Sequence, residues 1–176
     1  MEKTFEGRLN SLLMYTFRDI LRIEELILQR SDPNLSINEV HLIETVRKGK
    51  NRSLTISEIA AELRRAVPSV TVAVNKLVDK GYLIKEKNIE DARSYQVKLT
   101  REGEKIYRLH MYIHLKLVRE AAAELSDEEK ETLLVGVKNL DDFFKKKIDK
   151  YEKYGGINEF SNRRNRKVHS GSRTNK

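Results

Sequence analysis

The residues of this chain best equipped for coordination chemistry are three histidines and a pair of adjacent glutamates. His110 and His114 stand four apart in an apolar-periodic segment, so they share one helix face. His41 lies in a second helical segment, and Glu24-Glu25 lies near the end of a first. Three imidazoles and one carboxylate could close a tetrahedral zinc site. The same side chains could instead bond to one another in the interior, or touch an effector directly; their spacing does not choose. Catalysis has little support. His110-Met-Tyr-Ile-His114 lacks the glutamate of a zinc-protease helix. No nucleophile elbow or phosphate-cradling glycine loop is present, and the chain has no cysteine. Disulfides, thiolate metal clusters and thiol redox switching are thereby excluded. We expect no enzyme and no cofactor.

A second set of residues is suited to reading DNA. From about Pro68 to Lys80 the spacing predicts a helix in which Val70, Ala73, Val74 and Leu77 share one face. Ser69, Thr71, Val72, Asn75 and Lys76 then point away from it. An asparagine can bond adenine bidentately, a lysine can reach guanine or phosphate, and valine or threonine methyls can meet the thymine methyl. Ser69 and Thr71, near the helix N-terminus, suit phosphate oxygens beside free backbone N–H groups. A plain solvent face would favour Glu, Lys and Gln over such small and β-branched residues. The net charge of +8 is concentrated in two places. Residues 47–101 hold 13 Lys/Arg against six Asp/Glu, and residues 155–176 hold six against one. Basic charge clustered on such a helix points to a polyanion partner, double-stranded DNA.

The elements that position these residues are mostly helical. Thr55-Ile-Ser-Glu58 is a capping box that opens a short helix. Arg64–Val67 makes a turn, Pro68 fits the first turn of the next helix, and Gly81 ends it. Leu83–Lys87 and the alternating Ser94–Leu99 predict a hairpin whose polar tip runs from Asn88 to Arg93. Arg93 is placed to enter a minor groove, which attracts arginine without base-specific bonds. Asp91 reads as a salt bridge that holds the tip. Upstream, helices are predicted from Phe5 to about Gln29 and from about Ser36 to Lys48, the second opened by Ser36-x-x-Glu39. Downstream, Thr100 and Ser126 open two further helices with long apolar stripes, Ile106 to Leu125 and Leu133 to Ile148.

Stripes of that length need a partner, and a homodimer is expected. The chain thus divides into N-terminal helices (1–48), a DNA-binding lobe (49–101), C-terminal dimerisation helices (102–154) and a basic tail (155–176). The tail reads as disordered, able to add non-specific phosphate contacts. No apolar run approaches the ~20 residues that span a bilayer, and the N-terminus lacks a signal-peptide core. No membrane association and a cytoplasmic location are expected.

Gly81-Tyr-Leu-Ile, Asp91-Ala-Arg93 and Val97-Lys-Leu-Thr-Arg-Glu-Gly103 together resemble the winged-helix signature of the MarR family of bacterial transcriptional regulators. The resemblance covers about residues 8–150. It implies a mainly α fold with a small β-hairpin wing, a winged helix-turn-helix flanked by long dimerisation helices. It also implies a repressor whose two recognition helices enter successive major grooves of a pseudo-palindromic operator. Ile23-Glu24-Glu25, Leu35–His41 and Arg108-Leu-His110 with His114 are similar to the branch that represses fatty-acid synthesis genes. In that branch long-chain acyl-acyl carrier protein is the co-repressor. Carried over, the resemblance places an effector pocket among Leu13, Phe17, Glu25, His41, Ile43, His110, Ile113 and His114. Zinc-responsive members of the family show a similar histidine arrangement, so a zinc-responsive repressor stays open. A non-specific architectural or protein-interaction module is a further alternative.

Overall fold

The computed structural model describes residues 4–87 and 94–154. Helix α1 (Phe5–Ser31) begins at Thr4, whose hydroxyl oxygen accepts the Gly7 N–H at 3.1 Å, and ends where Asp32-Pro33 cannot continue it. Helix α2 (Ile37–Lys48) starts with the full capping box: the Ser36 hydroxyl accepts from the Glu39 N–H, and the Glu39 carboxylate accepts the Ser36 N–H at 2.8 Å. A tight 3-10 turn at Lys50–Arg52 follows, with Asn51 and Arg52 at φ 56° and 60°. It feeds β1 (Ser53–Thr55). Thr55 and Glu58 form the second capping box and open α3 (Ile56–Glu62). After a turn with Arg64 at φ 50°, α4 (Val67–Asp79) begins one residue before the proline that was expected to start it.

Gly81, at φ 80°, reverses the chain into β2 (Leu83–Lys87), which pairs antiparallel with β3 (Tyr95–Leu99). The sheet order is β1-β3-β2, with Leu54 opposite Val97 and Leu83 opposite Leu99. Strand β1 went unread in the sequence because three residues carry no measurable alternation. Helix α5 (Arg101–Ala121) leaves the sheet through a close approach: a Cβ on Gly103 would lie 2.2 Å from the Tyr82 carbonyl oxygen. Thr100 fastens this corner by donating to the Gly81 carbonyl at 2.7 Å and accepting the Gly103 N–H at 3.1 Å.

Val40, Ile43, Val46, Ile59, Val70, Val74, Leu77, Leu83 and Val97 form the centre of the core, drawn from α2, α3, α4 and the sheet. Each contributes about 1.5–3 kcal/mol by leaving water. The chain divides into two units, Met1–Arg119 and Glu120–Lys176. The first holds the helix-turn-helix, the wing and this core. The second holds α6 (Asp127–Tyr154), opened by a Ser126–Glu129 capping pair and exposing Leu133, Leu134, Val137, Phe144 and Ile148. No helix among the described residues is long and apolar enough to cross a membrane.

Candidate functional site

Two constellations lie in the first unit. The outer one is the exposed side of α4. Val70, Val74 and Leu77 bury one face of this helix against α3 and the core, which turns Ser69, Val72, Asn75 and Lys76 outward. Val72 is 69% exposed, an apolar side chain held out in water. Thr71 is half-buried and its hydroxyl donates to the Val67 carbonyl at 2.9 Å, which leaves its oxygen free to accept. The helix start carries no side-chain cap, so its first N–H groups are open to an anion. Asn75 accepts a hydrogen bond from Lys85 of β2 through its Oδ1. Arg93 and Asp91 lie outside the described residues, as does the basic tail.

Several cations of this lobe are already matched by carboxylates. Lys80 and Lys76 place their ammonium groups 2.8 and 3.2 Å from Glu39 of α2. Lys98 pairs with Glu86 across the hairpin at 2.6 Å, Arg47 with Glu104 at 2.9 Å, and Lys48 with Glu44. Burial alone would raise the Glu39 carboxyl; bonds from Lys80, the Ser36 N–H, Lys76 and the Ser36 hydroxyl outweigh it and hold the group down at about 2. Glu39 therefore caps α2 and fastens α4 at once. The capping-box pattern revealed the first role and concealed the second.

The inner constellation joins α1, α2 and α5. Glu24 is only 4% exposed, and its carboxylate faces all three histidines. Its Oε1 lies 2.9 Å from His114 Nε2 and 4.0 Å from His110 Nε2, and its Oε2 lies 3.6 Å from His41 Nε2. The His110 and His114 Nε2 atoms are 3.0 Å apart, and His110 Nδ1 is 3.5 Å from Glu44. Burial, with help from neighbouring His114, pushes the His110 imidazole down to about 4 against the pull of Glu44, so it is neutral at pH 7. Glu24, His41 and His110 each offer a ligand atom, all within 4.8 Å of one another. Glu24 Oε2 and His110 Nδ1 are buried without a hydrogen-bond partner among the described residues. The carboxylate that meets the histidines is thus Glu24; Glu25 is half-buried and bonds Arg22 at 3.3 Å. The helical spacing held this signal, since Glu24 is one turn from buried Leu28 while Glu25 is in phase with a surface arginine.

A small cavity of about 20 Å³ opens beside this cluster, lined by apolar side chains of α1, α2 and α5 together with Glu24 and His110. His110 and Ile113, two of the anticipated pocket residues, line it. Ile43 does not: it is wholly buried in the core. Leu13 and Phe17 are exposed, Phe17 by 66%, because α1 extends beyond the cavity towards its N-terminus. Leu13 is 11 residues, about 16 Å of helix, from Glu24. His41 and His114 are half-buried beside the carboxylate.

A short helix, a turn, a second helix with an outward polar face and a three-stranded wing define a winged helix-turn-helix protein. The family model of the MarR family matches residues 34–94. Streptococcus pneumoniae FabT, solved in complex with DNA, superposes with a TM-score of 0.75 at 32% identity over 80% of this chain and 98% of its own. The chain belongs to the MarR family. Among curated relatives, the HTH-type transcriptional regulator YfiV of Bacillus subtilis is 34% identical over 50% of this chain and 55% of its own length. BilQ of Clostridioides difficile, also an HTH-type transcriptional regulator, is 30% identical over 52% and 60%. The chain spans about half the length of the curated relatives it matches.

Proposed function

We propose that this protein is a sequence-specific DNA-binding transcriptional repressor that acts as a homodimer on a pseudo-palindromic operator. The observation that carries the reading is the outward face of α4, where Ser69, Val72 and Asn75 stand on a helix whose opposite face is locked into the core. The likeness to FabT, whose structure holds DNA, supports it. Dimerisation is supported by the apolar side chains that α1 and α6 leave in water, among them Leu12, Phe17, Leu133 and Phe144. A second copy of the chain would cover them.

Long-chain acyl-acyl carrier protein is the co-repressor we propose, controlling fatty-acid synthesis genes. The apolar lining of the small cavity between α1, α2 and α5 supports this effector, since an alkyl chain that widened it would meet apolar walls. A zinc-responsive repressor is the second reading, favoured by the geometry of Glu24, His41 and His110 with His114 adjoining. Three imidazoles and a carboxylate form a donor set that zinc accepts, and the buried Glu24 Oε2, which has no hydrogen-bond partner among the described residues, fits it. Bound zinc would tie α1, α2 and α5 together through these side chains.

Fluorescence anisotropy on the DNA upstream of the gene tests both. In chelator, long-chain acyl carrier protein is expected to tighten binding of the labelled duplex. Unchanged affinity overturns the lipid co-repressor, and tightening by zinc then supports the second reading. Binding that unrelated duplex competes away equally well would favour the non-specific architectural module.

A further inference from the structure

Asn75 of α4 and Lys85 of β2 are joined through a bond whose polarity is settled by chemistry. A lysine ammonium only donates, so the asparagine must turn its carbonyl oxygen towards it. Lys85 reaches this point because alternate residues of a strand share a face. Leu83, on the same face, is buried in the core beside α4, while Glu86 on the other face pairs with Lys98. The strand register, with Lys85 opposite Val97, holds the lysine at the level of Asn75. Asn75 itself is exposed and lies three residues beyond Val72 on the outward face.

With one lone pair of its carbonyl engaged by Lys85, Asn75 keeps both N–H groups of its amide free to donate. Lys85 adds two further N–H donors and sets a positive charge beside the carbonyl's one remaining lone pair, so the pair favours acceptors over donors. Adenine shows the major groove an acceptor, N7, beside a donor, N6; a bidentate asparagine needs its own oxygen for that donor. Guanine shows two acceptors, N7 and O6. We propose that Asn75 and Lys85 form a donor-rich, positively charged pair that reads guanine in preference to adenine in each half-site. Lys85 is the specificity-determining residue, because it sets which way the Asn75 amide points. Lys76, the other cation on this face, is drawn to Glu39. The proposal rests on the DNA-reading function above and replaces the adenine contact expected from the asparagine alone.

The test is selection of duplexes from a randomised library with the full chain. The position read by Asn75 is the one whose preference disappears in Asn75→Ala. The unaltered protein is expected to select guanine there. Lys85→Met keeps the stem and frees the Asn75 carbonyl, so the preference moves to adenine, while Lys85→Arg retains guanine. The change in preference is expected to be on the order of ten-fold, the value of one good bidentate contact. A selected site carrying 7-deazaguanine at that position removes the N7 acceptor and is expected to weaken the unaltered protein by a similar factor. That probe serves even if Lys85→Met does not fold. Adenine selected by the unaltered protein overturns the proposal. So does a Lys85→Met protein that loses affinity for every sequence equally while still preferring guanine. A library with no enrichment at all refutes the underlying DNA reading, whereas enrichment unmoved by Asn75→Ala refutes the pair alone.

Discussion

Replacing Glu39 by glutamine removes one negative charge and leaves the side chain's size unchanged. The native carboxyl is held at about 2 against an ordinary value of 4.5, which at ~1.4 kcal/mol per pH unit corresponds to roughly 3 kcal/mol of native-state preference for the charged form. Lys80 is mostly shielded from water, but Lys76 is 62% exposed, and solvent screens its share. The amide also still accepts part of the Ser36 cap. We therefore expect Glu39→Gln to cost about 1–3 kcal/mol at pH 7, a fall of several degrees in melting temperature for a chain of this size. The pH dependence carries a definite sign. Because folding depresses this carboxyl, its contribution is complete above about 4.5 and fades as pH falls through about 2. Urea melts of both proteins, at one protein concentration and at pH 7, 5 and 3, should show the difference intact at pH 7 and reduced at pH 3. A gap under about 0.5 kcal/mol at pH 7, or one that persists undiminished at pH 3, would refute the assignment of Glu39 as the ionic anchor of α4.

Gly103→Ala should be more damaging than a helix-stabilising substitution normally is, because its Cβ would fall 2.2 Å from the Tyr82 carbonyl. A loss of about 2 kcal/mol or more is expected in the same melts, where an exposed glycine-to-alanine change in a helix would gain up to ~1. Ile43→Ala, at the wholly buried centre of the core, should cost about 2–5 kcal/mol. Since Ile43 does not line the cavity, any binding of the proposed long-chain acyl-acyl carrier protein by the protein that remains folded should be unchanged in calorimetry. Asn75→Ala should leave the melting curve within about 0.5 kcal/mol of the original and act on DNA affinity only, because its side chain is exposed.

The fold was legible wherever a local signal fixed it. Ser36 with Glu39 and Thr55 with Glu58 announced their helices, because a capping box closes within four residues. Gly81 marked the turn into the wing for the same reason: its φ of 80° suits few other residues. The outward face of α4 could be read from helical phase alone. What stayed hidden depends on contacts between distant segments. The Lys85–Asn75 bond requires the strand register, and the pairing of Lys76 and Lys80 with Glu39 requires the docking of α4 on α2. The resemblance placed Leu13 and Phe17 in the pocket, but it does not reveal how far a long helix runs past its lobe.

The ion pairs around the recognition helix bear on how the protein would find its site among other DNA. Among the described residues, Arg47, Lys48, Lys76, Lys80 and Lys98, all between positions 47 and 101, already face a carboxylate of the same chain. Those carboxylates act as tethered competitors of phosphate. Any duplex, whatever its sequence, must win these cations from their partners, so indiscriminate attraction is reduced. Contacts to base edges from Ser69, Val72 and Asn75, which carry no charge, lose nothing by this. The result is a larger ratio between right and wrong sites from a lobe that, by its charge count alone, would be expected to cling to both.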